Sequence, residues 1–179
     1  MNDPLDKITA GDNLIGKIRN FLAGFVGYVE RDNRREADKL LRLTVAQRFE
    51  EQWERMSEIQ RRLIKENQLE QVDDLEEAAI KLRAFINRIR NASYGYSGLF
   101  DAVQINSKEL EQIYNYDVAL LEGVEQVSNA IDNLGASLGT DGFPAAIRHI
   151  VTLSEEIVSA FERREEVILT TVDSTGSEE

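Results

Sequence analysis

Apolar residues recur along this chain at intervals of three and four, in five separate runs, and nowhere in the strict alternation of a strand. The first run, from about Asn13 to Val29, places Leu14, Ile15, Ile18, Phe21, Leu22, Phe25, Val26 and Val29 within about 140° of helical arc. The second, from about Asn33 to Asn67, carries Leu41, Val45, Phe49, Trp53, Met56, Ile59 and Leu63 on one narrow stripe. A third, from Val72 to Ala92, aligns Val72, Leu75, Ala79, Leu82, Ile86 and Ile89 in the four-three spacing of helical bundles. The fourth opens at Ser107, where Asn106 and Glu109 have capping-box spacing, and reaches Leu134. The fifth begins at Phe143 and Pro144, proline suiting a first helical turn, and ends before Asp173.

Each run is apolar on one stripe and too polar elsewhere to stand alone. The pattern predicts an all-α fold, an elongated antiparallel helical bundle of about four long helices with an amphipathic N-terminal helix in front. The expected organisation is residues 1–32 as the N-terminal segment, 33–172 as the bundle and 173–179 as a disordered acidic tail. Helix two exceeds helix three by roughly 14 residues, about 20 Å of rise, so one of its ends is expected to project or fold back.

Composition narrows the chemistry. The 179 residues include no cysteine, one histidine and two prolines, Pro4 and Pro144. Disulfides and thiolate chemistry are therefore excluded, and imidazole-rich metal sites with them. The net charge is −12, and residues 94–179 hold all of it, with four basic residues against sixteen acidic ones. Nucleic-acid binding, which depends on clustered cations, is not expected. Asp3, Asp6 and Asp12 stand where a secretory signal would need a basic and then apolar stretch, and the longest nearly apolar run, Phe21 to Val29, is far short of the ~20 residues of a spanning helix. The expected location is the cytoplasm, peripheral at the inner membrane face if helix one binds lipid.

Helix one is the sharpest candidate. Its arc of Leu14, Ile15, Ile18, Phe21, Leu22, Phe25, Val26 and Val29 must be covered by something, and three covers are open: its own bundle, a membrane surface, or a partner or second copy. Gly16, Asn20 and Gly24 recur every fourth residue on the other side, a spacing that admits a closely packed helix. Tyr94, Tyr96, Phe100, Tyr114 and Tyr116 form a second candidate, an aromatic joint between helices three and four that could also serve as a binding surface. Asp117 sits at the centre of helix four's stripe, where leucine is expected, and a carboxylate buried there needs Tyr94, Tyr96, Arg88 or Arg90 as partner. His149 falls off its helix's apolar stripe and is expected at the surface.

No catalytic set, Glu-x-x-His pair or phosphate loop stands in the sequence, so an enzyme is not expected, nor a bound metal or cofactor. An amphipathic N-terminal helix ahead of long charged helices is similar in outline, over the first two helices, to membrane-remodelling coiled-coil proteins. From the amphipathic arc of helix one the expected function is a non-enzymatic scaffold or adaptor docking through that helix on a membrane surface. The alternative is a soluble protein–protein interaction or self-assembly module whose first helix packs on a partner or on its own bundle.

Overall fold

The computed structural model describes residues 4–28, 33–92 and 107–175. These form five helices, α1 Pro4–Phe21, α2 Arg34–Lys65, α3 Leu69–Asn91, α4 Ser107–Ala136 and α5 Phe143–Thr175, with no strand among the described residues. The fold is an all-α helical bundle. Helices α2 to α5 make its four walls, in the order α2, α3, α5, α4 around the axis, and α1 packs on α4.

Two hairpins build it. A left-handed Asn67 (φ 60°) ends α2, with the Gln68 N–H donating to the Leu63 carbonyl and that of Asn67 to Ile64, which satisfies the last carbonyls and turns the chain into α3. Thr140 braces the second turn, its hydroxyl donating to the Ser137 carbonyl ahead of α5. The partners along the helices fix the directions: Arg55 of α2 reaches Ser128 and Asp132 of α4, and Arg88 of α3 reaches Glu162 and Glu165 of α5. Hence α2 runs parallel to α4 and α3 to α5, while each hairpin is antiparallel within itself.

The predicted stripes are the core. Leu41, Val45, Phe49, Met56 and Leu63 of α2 meet Leu75, Leu82, Ile86 and Ile89 of α3, Leu120, Leu121, Val127 and Ile131 of α4, and Ile147, Ile150, Ile157 and Phe161 of α5 in one continuous interior. Phe85 stands edge-on to Phe49 at 5.1 Å and to Phe161 at 5.6 Å, a row of three rings joining α2, α3 and α5. Trp53 seals the α2–α3 seam, donating from Nε1 to the Ala79 carbonyl with the Arg83 guanidinium 4.6 Å over its ring.

Three expectations change. Helix one starts at Pro4 rather than about Asn13 and ends at Phe21 rather than Val29, the end following from Gly24 and Gly27, which adopt φ of 84° and 87°, a region closed to a right-handed helix. Among the described residues no helix approaches Gly16 or Gly24, and nothing lies within 4 Å of a Cβ at either position. Neither end of α2 projects: Ala37, Asp38 and Leu63 are all buried, and α2 exceeds α3 by less than the sequence implied, 32 residues against 23. The turns of α2 beyond α3 are occupied by a polar centre shared with α4 and α5.

Candidate functional site

That centre is assembled from four parts of the chain. Asp38 and Arg42 stand one turn apart on α2, Tyr114 and Asp117 one turn apart on α4, Arg164 on α5, and Tyr28 on the segment between α1 and α2. Helical spacing puts each on the core side: Arg164 follows Phe161 by three and precedes Ile168 by four, while Asp38 and Arg42 flank Leu41. All six are buried, Asp117 and Arg164 completely.

Arg164 is the hub. Its Nε donates to Asp117 Oδ1 at 2.6 Å, and its Nη2 donates to Asp38 Oδ1 at 2.7 Å and to the Tyr28 hydroxyl at 3.3 Å. The Tyr28 hydroxyl donates a hydrogen bond to Asp117 Oδ2 at 2.7 Å, so both oxygens of Asp117 are held. The second oxygen of Asp38 accepts from Arg42 Nε at 2.6 Å, and Arg42 Nη1 reaches the Ile89 carbonyl of α3 at 3.1 Å. Among the described residues two carboxylates face two guanidiniums, so these four charges balance although the ions lie out of water.

Burial sets the proton affinities. Desolvation raises Asp117 above the ordinary carboxylate range, the Arg164 guanidinium and the Tyr28 hydroxyl pulling the other way without cancelling it. Desolvation, reinforced by the Asp117 carboxylate, holds Tyr28 well above the ordinary phenol value, which keeps it a proton donor. Tyr114 is raised chiefly by burial as well.

At the surface the balance reverses for Glu50. Burial works to raise it, but hydrogen bonds from Arg83 and Arg90 outweigh that and hold it below its usual value. The two acids therefore carry opposite pH signatures. A folded-state value above the unfolded one adds stability at low pH that is lost as pH rises through it, and a depressed value adds stability lost as pH falls through it. The melting-temperature gap between wild type and Asp117→Asn should narrow from about pH 4 to about pH 7, while the gap for Glu50→Gln should widen. Thermal melts across that range decide it, and parallel gaps would refute both assignments.

The segment carrying Tyr28 is held mostly by side chains bonding its backbone. The Tyr28 N–H donates to the Tyr114 hydroxyl at 2.7 Å, Arg34 Nε to the Tyr28 carbonyl at 2.6 Å, Arg19 Nε to the Phe25 carbonyl at 2.9 Å, and Arg48 to the Phe21 carbonyl. Tyr28 and Tyr114 stack at 5.2 Å with Phe25 edge-on to both. Gly27 permits this approach, since a Cβ there would lie 2.7 Å from the Tyr114 hydroxyl.

Of the helix-one arc, Ile15, Ile18, Leu22 and Phe25 are buried in the common core, Leu14 and Phe21 are half-buried against it, and Val26 is 56% exposed. Val29 lies outside the described residues, as do Tyr94, Tyr96 and Phe100 of the aromatic joint. Tyr114 joins the Tyr28 stack instead, and Tyr116 is half-buried. Asp117 is buried, and its partners in the structure are Arg164 and Tyr28, whereas Arg88 bonds Glu162 and Glu165 and Arg90 bonds Glu50. His149 is exposed, on a shallow groove with Gln126, Asn129, Asn133 and Glu156. Sequence reasoning missed Tyr28, Asp38, Arg42 and Arg164, although the last breaks its apolar stripe as plainly as Asp117 does.

No protein-family model matches this chain, and no curated protein or solved structure is found similar to it. Its function has to be read from its own geometry. No described helix is long and apolar enough to cross a membrane.

Proposed function

We propose that the protein is a non-enzymatic helical interaction module, a scaffold that engages a protein partner from its bundle surface with the N-terminal helix kept as a fifth element of its own core. One observation carries this reading: Ile15, Ile18, Leu22 and Phe25, the centre of the arc that a membrane surface or a partner groove would need, are buried within the same chain. The polar cluster fits the reading too, because each carboxylate in it is bonded to guanidinium and shielded from any substrate.

Charge favours a basic partner over a second copy or an anionic lipid. Sixteen acidic residues against four basic ones over residues 94–179 bring like charges together in either of those encounters. Lys81 and Arg88 of α3 lie over Glu155, Glu162 and Glu165 of α5 and neutralise one edge, while Glu122 and Glu125 of α4 stay exposed.

The test is co-sedimentation of the full chain with neutral and anionic vesicles, run beside light scattering over a wide concentration range. The expected result is a protein that stays in the supernatant with both vesicles and scatters as a monomer. Sedimentation with vesicles would overturn the reading and return helix one to a membrane surface. A mass that grows with concentration would overturn it in favour of self-assembly.

A further inference from the structure

The way the N-terminal segment is fastened differs from the way the four walls hold one another. Helix α1 packs principally on α4 and buries Ile15 and Ile18, and the segment after it adds Leu22 and Phe25. After Phe21 the chain leaves helical geometry, and its carbonyls at Phe21, Phe25 and Tyr28 are bonded by Arg48, Arg19 and Arg34 rather than by a backbone ladder. Water can replace every one of those bonds, so each resists opening by only the small net value of an exchanged hydrogen bond.

Beneath the segment lies the ion cluster. Tyr28 bonds to Asp117 and to Arg164, and both of those ions are completely buried. Removing ions from water is costly, and readmitting water to them returns part of that cost. Opening at this place is therefore opposed by less than the buried apolar area of α1 alone would suggest. Over most of their length the walls meet through continuous apolar stripes, where no such return is available.

From these observations we infer that residues 4–28 form a latch that opens as one unit from an intact α2–α5 bundle, with Tyr28 as its catch. Gly24 and Gly27, both at positive φ, supply the bend that lets the catch fold back under α1. Closing buries the apolar arc of α1 and roofs the Asp117–Arg164 pair in a single movement. Opening releases an amphipathic helix and uncovers a charged recess between α2, α4 and α5. This regulation is separate from the identity of any partner, and it holds or fails independently of the interaction reading above.

Native-state amide exchange on the full chain reads it, with Trp53 fluorescence as an independent report on the α2–α3 seam. In wild type, amides in residues 13–28 should exchange at least about tenfold faster than the slowest amides of α2 to α5, as expected of a separate opening unit. Tyr28→Phe, which leaves Asp117 with one partner fewer, should speed exchange in residues 13–28 by a further ~10- to 100-fold and leave α2 to α5 unchanged. Gly27→Ala should do the same through the clash with Tyr114, without touching the ions. Exchange in residues 13–28 that matches the bundle in wild type would overturn the latch, since opening would then require global unfolding. Acceleration spread evenly over all five helices in both variants would overturn it as well. Should a variant fail to fold, the wild-type comparison alone decides.

Discussion

Replacing Arg164 with leucine should destabilise the protein by about 3–5 kcal/mol, the usual cost of removing one side of a buried ionic network. The loss follows from what remains behind. Asp117 would keep only Tyr28 and Asp38 only Arg42, so two buried carboxylates would face one guanidinium. For a chain of this size the melting temperature should fall by about 6–20 °C. Arg164→Lys should recover only part of it, because one ammonium cannot reproduce a fork that bonds Asp117 through Nε and Asp38 through Nη2. Charge is separable from volume by a double variant. Combining Arg164→Leu with Asp117→Leu removes one charge of each sign and leaves the Asp38–Arg42 pair, so it should lie closer to wild type than Arg164→Leu alone. A double variant at least as unstable as the single one would show that Arg164 supplies packing rather than charge balance.

Phe85→Ala should be comparably damaging for a wholly apolar reason. Its ring is the middle of the Phe49–Phe85–Phe161 row, so truncation removes edge-to-face contacts to two helices and leaves a void between α2, α3 and α5. Large-to-small changes of this kind cost about 3–5 kcal/mol. Urea unfolding followed by Trp53, itself on the α2–α3 seam, should show the midpoint falling with little change in slope. Phe85→Leu should cost less, since most of the volume is retained. A loss below about 1 kcal/mol for the alanine would mean that the walls collapse into the space, contrary to a row of rings held from both sides.

Together these variants probe the two kinds of interior the protein has. Over most of the bundle's length the core is apolar and forgiving of isosteric change. At the end where α1 returns it is ionic, and there each group depends on a named partner. A buried polar cluster of this type restricts the alternatives open to the chain, because sliding α5 by one turn against α2 and α4 would strand Arg164 among apolar groups and leave Asp117 uncompensated. Apolar stripes alone tolerate such slips far better.

How much of the structure the sequence alone specifies differs from element to element. The α2 to α5 spans follow from apolar spacing to within a few residues, because a stripe that recurs through six to nine turns leaves little freedom of interpretation. Asp117 was legible as a buried acid for the same reason, since it interrupts a stripe. Arg164, between Phe161 and Ile168, carried the same signal, but a lone basic residue next to Arg163 reads as part of a solvated pair. Asp38 and Arg42 were hidden by their i,i+4 spacing, which is equally the mark of an exposed helix pair.

Helix one shows the limit most clearly. Its arc of apolar residues continues in phase to Val29, and glycine's cost of about 1 kcal/mol within a helix is too small to mark an end against such a pattern. What ends the helix is tertiary. Folding Tyr28 back onto Tyr114, Asp117 and Arg164 satisfies three buried polar groups at once, and only the positive φ of Gly24 and Gly27 allows the chain to take that path. Local periodicity thus determined the helical class, the wall helices, their inward faces and the presence of an acid in the core. Which helix neighbours which, what covers the first helix, and which cation meets that acid were decided by the tertiary structure. The physical reason is that a stripe specifies a face and not its partner, whereas a buried ion is stable only in the one arrangement that brings its counter-charge from elsewhere in the chain.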